Sequence, residues 1–283
     1  MKKKLLLMAA SMMIATASWA QTNYKTFTVN GVSFKMIKVE GGTFQMGATS
    51  EQGSDDLFDE KPVHRVTLSD YYIGETEVTQ ALWQAVMGTS IRQQRDKANT
   101  SWSIDGEGAN YPMYYISWEE CWEFVEKLNA LTGQRFYMPS EAQWEYAARG
   151  GKKSRGYKYS GSNTVKSVAW LWENSGDAPL SGSVWSSTEV NNNNCRAHPV
   201  KTKQANELGL YDMSGNVWEW TQDLYGKYGS NAETNPTGPM AGSNLRVRRG
   251  GHWSTFADDC RVSRRSADSP SLRCYYLGLR LAL

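Results

Sequence analysis

Apolar positions recur at helical spacing in three places along this chain. Thr79 stands before Leu82, Trp83 and Val86, which share one side of a helix closing at Gly88. Ser117, Trp118, Glu119 and Glu120 form a capping box, in which the Ser hydroxyl and the Glu carboxylate each accept a free backbone amide. Cys121, Phe124, Val125 and Leu128 follow it on one face. Ser140 to Gln143 repeats the box ahead of Trp144, Ala147 and Ala148, and Gly150-Gly151 stops that helix. All three stripes are expected to face a core. Strand-like alternation is shorter, over Ser33 to Val39, Val63 to Leu68 and Leu277 to Leu283. From Gly150 to Leu210 the chain is rich in Gly, Ser and Asn, with Asn191 to Asn194 in a run, which reads as long surface loops. No internal repeat is visible, so the pattern predicts one loop-rich α+β domain from about residue 23 onward.

The first residues stand apart. Lys2, Lys3 and Lys4 precede an apolar run from Leu5 to about Ala17, and Ala17-Ser18-Trp19-Ala20 ends it with small residues. This is the layout of a secretory signal over 1–20, cut after Ala20; the run falls short of the roughly 20 apolar residues of a membrane span. No transmembrane segment is expected once it is removed, and the product is expected to be exported (periplasmic, cell-surface or secreted). Losing the three Lys takes 31 basic residues to 28 against 29 acidic, a net −1. That balance argues against a nucleic-acid binder.

The remaining charge is uneven. From Arg246 to Leu283 there are eight Arg, three Asp and no Lys. Arg offers planar multidentate contacts, and the simpler expectation is that these Arg pair inside the fold. Cys121, Cys195, Cys260 and Cys274 are irregularly spaced; in an oxidising compartment they allow one or two disulfides, in any of three pairings. His64, His198 and His252 are far apart and lack metal-ligand spacing. Gly41-Gly42 and Gly150-Gly151 read as turn glycines rather than phosphate cradles.

Several strings occur in a telling order. They are Gly41 to Gly47 (GGTFQMG), Glu77-Val78-Thr79, Tyr111-Pro112, Ile116-Ser117-Trp118, Met138 to Gly151 (MPSEAQWEYAARGG), Gly209 to Trp220 (GLYDMSGNVWEW), Arg249-Gly250-Gly251 and Leu277-Gly278-Leu279-Arg280. Together they resemble the formylglycine-generating enzyme (sulfatase-modifying factor) family across nearly all of residues 21–283. The resemblance implies a C-type-lectin-like fold of the formylglycine-generating-enzyme type, α+β with little regular secondary structure.

Function does not follow from fold alone. The family's oxidases use two Cys five residues apart, shortly after Arg-Gly-Gly, to bind copper and convert a substrate Cys to formylglycine. Here the later position is Cys260 but the earlier is Thr255, whose hydroxyl is a poor ligand for soft Cu(I). No copper is expected, and Cys260 is a catalytic candidate only under that alternative. The resemblance also implies structural Ca²⁺ held by the Asp212 and Glu219 side chains and the Gly215 and Val217 carbonyls, an oxygen-only set suited to a hard cation.

The tail carries a second signal. From Gly250 to Leu283 there is no Lys, Glu, Gln, Met or Asn. Randomising Asn codons at their adenines cannot yield Lys, Glu, Gln, Met or Trp, and the tail's one Trp, Trp253, sits at a framework position. The residues at His252, Ser254, Thr255, Phe256, Asp258, Asp259, Arg264, Ser266, Ala267, Asp268, Ser271, Leu272, Cys274, Tyr275 and Tyr276 all fall in the permitted set. In this the chain resembles the variable proteins of diversity-generating retroelements. The resemblance implies a non-catalytic binding protein in which 249–283 is a variable segment facing a macromolecular or cell-surface ligand. Phe256, Tyr275 and Tyr276 would supply contact area, and Arg264 and the Asp residues charge complementarity.

Overall fold

The computed structural model describes residues 23–53, 58–182, 184–239 and 243–283. The expected export signal lies outside them. Among the described residues, no helix is long and apolar enough to cross a membrane.

The helix signals act as the sequence predicts. The Thr79 hydroxyl accepts the Leu82 amide at 3.2 Å and opens α1, Gln80–Met87, which ends at Gly88 with φ 74°. The Ser117–Glu120 box opens α3, Trp118–Thr132, and the Ser140–Gln143 box opens α4, Glu141–Ala148. Cys121, Phe124, Val125 and Leu128 are buried in the larger core; each such aliphatic or aromatic side chain contributes roughly 1.5–3 kcal/mol of transfer free energy. One further helix of two turns, α2 (Ile91–Ala98), was not expected, although Ser90 and Gln93 form a capping box at its start.

The strands make three sheets. In the first, β1 (Tyr24–Val29), β2 (Val32–Val39) and β5 (Tyr71–Gly74) are antiparallel. In the second, β3 (Gly42–Met46) and β4 (His64–Leu68) form an antiparallel pair extended by the short parallel strand β7 (Glu233–Thr234). The third has the order β10-β6-β8-β9, with β6 at Trp218–Leu224, β8 at Arg246–Arg249, β9 at Arg265–Asp268 and β10 at Leu277–Leu279.

Two expectations need correction. Leu277 to Leu283 is not one half-exposed strand. Leu277–Leu279 pairs parallel to Trp218–Trp220, Ala282 bridges Ile73 and Tyr137 antiparallel, and Gly278, Arg280 and Ala282 are buried along with Leu277, Leu279 and Leu281. The chain beyond is threaded between β5 and Tyr137, with Gly74 N–H donating to Leu281 O at 2.8 Å and Ala282 N–H to Tyr137 O at 2.7 Å. Both faces are covered, so period-two patterning is lost.

Nor is the stretch from Gly150 to Leu210 a surface loop throughout. It includes the short helices α5 (Val165–Val168) and α6 (Ser187–Asn192), and Val168, Ala169, Leu171, Trp172, Cys195 and Ala197 are buried. Its Asn residues take over backbone pairing. Asn174 Oδ1 accepts the Leu171 amide at 3.0 Å, and Asn206 Oδ1 accepts the Leu208 and Leu210 amides at 3.0 and 3.2 Å. Side-chain amides that satisfy buried backbone let a Gly/Ser/Asn-rich segment enter the interior.

Candidate binding surface

Arg249-Gly250-Gly251 turns the chain out of β8. Gly250 and Gly251 have φ of 103° and 77°, and a Cβ on Gly251 would meet the Cys260 Sγ at 2.9 Å. Only glycine fits both the left-handed backbone and that contact. The tail then makes two excursions, residues 250 to 264 between β8 and β9 and residues 269 to 276 between β9 and β10.

The tail Arg residues pair inside the fold. Arg280, fully buried, grips Glu219 with Nη2 at 2.7 Å and Nε at 2.9 and 3.0 Å, and donates to Gly74 O and Tyr211 O at 2.8 Å. Arg265 holds Glu141 at 2.6 and 2.8 Å, Arg261 holds Glu60 at 2.8 and 2.9 Å, and Arg249 bridges Glu145 and Glu141. Burial pushes the Glu141 carboxyl up, but Arg265 and Arg249 outweigh it and hold it below the usual range. Arg273 pairs with Glu120 at 2.9 Å, Arg248 with Asp268 at 2.6 Å and Arg264 with Asp259 at 3.0 Å, while Arg246 lies 3.8 Å over Trp118. Arg264, Asp259 and Asp268 are thus spent on one another and on Arg248, and Asp258 meets Lys158 at 3.4 Å. These pairs stay partly open to solvent, with the Asp258 side chain 61% exposed.

The candidate contact residues fall into separate groups. Asp258 and Ser271 are exposed; Thr255, Phe256, Asp259, Arg264, Ser266, Ala267, Asp268, Leu272, Tyr275 and Tyr276 are half-buried. His252, Ser254 and Cys274 are buried, which corrects their placement on a contact surface. His252 stacks on Tyr276 at 4.5 Å, and burial with Arg248 close by holds its imidazole neutral, well below its ordinary pKa. Its Nδ1 accepts the Ser254 amide at 3.3 Å, so both belong to the support beneath the surface. Tyr275 stands 4.9 Å from Tyr276 and 5.6 Å from Trp253, whereas Phe256 packs on Trp172 at 5.2 Å. Asp258, Asp259 and Arg264 gather separately beside Lys158 and Asp59.

The four Cys are buried and free, so the open expectation of disulfides is not met among Cys121, Cys195, Cys260 and Cys274. The Thr255 hydroxyl stands 3.9 Å from the Cys260 sulfur. Burial, with Asp259 and Asp258 behind it, pushes the Cys260 thiol up to about 12 despite the Thr255 contact. In the metal-free protein at neutral pH it is therefore held as the thiol rather than the thiolate.

The implied calcium ligands do not fit an ion as arranged. Both Glu219 oxygens face Arg280, and one also accepts the Trp144 indole N–H at 2.6 Å. Asp212 instead accepts the Lys201 amide at 2.9 Å. The carbonyl positions Gly215 and Val217 flank Asn216, whose side chain donates to Glu77 at 2.9 Å. Among the described residues, no three His, Cys, Asp or Glu side chains are grouped to hold a metal. Burial raises the Asp212 carboxyl to about 6 and, with repulsion from Asp212 and Glu219, raises Glu77 well above its usual value. Arg280 is the cation that balances this acidic group.

The sequence reading missed a cleft of about 360 Å³ beside Tyr275 and Trp253. Its other walls are Ser103 to Asp105 and a segment from Trp185 to Arg196. The available signal was Trp185, an exposed aromatic in a polar segment.

Residues 21–283 match the model of the sulfatase-modifying factor enzyme 1-like domain. The chain is 35% identical over 253 residues to the chaperone protein LppX of Paenibacillus barcinonensis, covering 82% of this chain and 83% of that one. It is 28% identical over 293 residues to the formylglycine-generating enzyme of Streptomyces coelicolor, covering 87% and 88%. Among solved structures, Treponema denticola variable protein 1 superposes with a TM-score of 0.73 at 32% identity, covering 92% of this chain and 98% of that one. The chain belongs to the sulfatase-modifying factor enzyme 1-like family, on the fold that variable protein 1 shares.

Proposed function

We propose that this family member is an exported, non-catalytic ligand-binding protein whose recognition surface is built by the half-buried tail residues around Tyr275 and Tyr276. The observation that carries the reading is the Thr255 hydroxyl beside the fully buried Cys260 thiol, where an oxidase of the family would need two thiolates. Likeness to a protein named a variable protein, and to one named a chaperone, supports binding over catalysis. The test is a Cu(I) titration with a chelator competitor, run alongside incubation with copper, oxygen and a Cys-containing peptide. The expected result is no tight stoichiometric copper site and no peptide aldehyde. Aldehyde formation that depends on Cys260 would restore the oxidase reading.

The scaffold keeps Arg280 as its internal cation in place of calcium. Melting temperatures in millimolar Ca²⁺ and in EGTA are therefore expected to agree. A calcium-dependent rise of about 4 °C or more would reinstate an ion at Asp212 and Glu219.

A further inference from the structure

The cleft beside Tyr275 has a chemical bias. Asp105 lies on its wall, and burial raises its carboxyl above the usual range against a single side-chain bond from Ser103 Oγ at 3.0 Å. No Lys, Arg or His pairs with it among the described residues. Arg196, on the same cleft, is already committed, with Nη1 donating to Asn194 O at 2.9 Å and to Asp177 at 3.3 Å. Trp185, Trp253 and Tyr275 line the same cleft; Trp185 is 43% exposed, Tyr275 is half-buried and Trp253 shows only its edge, and among the described residues no ring stacks on Trp185.

A partly desolvated carboxylate among aromatic rings is the arrangement that favours an organic cation. The rings' negative faces and the carboxylate act together, and partial exclusion of water strengthens both. Resting on the binding reading above, we propose that this cleft receives the ammonium group of a lysine side chain on a partner protein, with Asp105 as counter-charge and Trp185, Trp253 and Tyr275 as walls. A free anion would meet the unpaired Asp105 carboxylate and an Arg196 guanidinium whose charge is already shared with Asp177. The division of labour follows from the chain. Asp105, Trp185 and Trp253 belong to the scaffold, so the charge requirement stays fixed, while the tail contributes Tyr275 and can reshape the remaining wall.

The probes are Nα-acetyl-lysine methylamide and its Nε-acetylated form, titrated into the full chain while the indole N–H signals of Trp185 and Trp253 are followed by NMR. The expected result is saturable binding of the ammonium form and at least tenfold weaker binding of the acetylated form. Asp105→Asn, close in size and shape, should weaken ammonium binding by about tenfold while leaving the melting temperature in place; Tyr275→Ala tests the wall independently. Equal binding of both probes, binding unchanged in Asp105→Asn, or no binding of either would overturn the inference. None of these outcomes bears on copper binding, so the non-catalytic reading stands or falls separately.

Discussion

Replacing Arg280 by Met should leave the chain largely unfolded at neutral pH. Among the described residues Arg280 is the only guanidinium touching Glu219, and it also acts on the neighbouring Glu77 and Asp212, all of them buried. Met fills much of the volume but removes the one guanidinium that Glu219, Glu77 and Asp212 share. Breaking a buried pair from one side costs about 3–5 kcal/mol, a large part of the roughly 5–15 kcal/mol that holds a domain together. The pH dependence has a definite sign. Asp212 is raised to about 6 and Glu77 is raised well above its usual value in the intact protein, so both favour the proton when folded. Their contribution is therefore present at low pH and lost as pH rises through the folded value. Without Arg280 the penalty at neutral pH grows, so the variant should regain stability between about pH 7 and pH 5. Urea unfolding of both proteins at the two pH values checks this. A midpoint at neutral pH within about 1 kcal/mol of the parent would contradict the assignment of Arg280 as the balancing charge.

Restoring the second thiol should have an equally large effect in the other direction. In Thr255→Cys the new sulfur would lie beside that of Cys260, since the present hydroxyl is already 3.9 Å away. Two thiolates suit Cu(I), and metal binding releases the thiol protons that burial now retains. Copper affinity should rise by about a thousandfold or more, roughly 4 kcal/mol, over the parent. Competition with a Cu(I) chelator reads the change directly. No gain would mean that the site had lost more than one ligand.

How much of this was legible in the sequence depended on the kind of signal. Capping boxes at Ser117 and Ser140 are local chemistry, and both open helices where expected. The box at Ser90 is just as real, but α2 buries only Ile91 and Gln94, so no apolar stripe drew attention to it. The tail's composition marks which residue types are tolerated without saying which way they point. His252, Ser254 and Cys274 share the permitted set with Tyr275 yet sit beneath the surface, because turns at Gly250-Gly251 and around residues 269–276 decide orientation. The Arg-rich tail became intelligible only when its carboxylate partners, as far away as Glu60, were brought to it. The cleft at Asp105 is assembled from four separate stretches of chain, and no spacing rule could have joined them.

An internally paired scaffold here carries a replaceable surface. A display library that varies each tail position singly, scored for protease resistance as a measure of folding, tests it most directly. Substitutions at Thr255, Phe256, Asp258, Ser266, Ser271, Leu272 and Tyr275 should cost about 1 kcal/mol or less, whereas those at Trp253, Arg261, Arg265 and Arg280 should cost several. A map in which the first group is as intolerant as the second would contradict the claim.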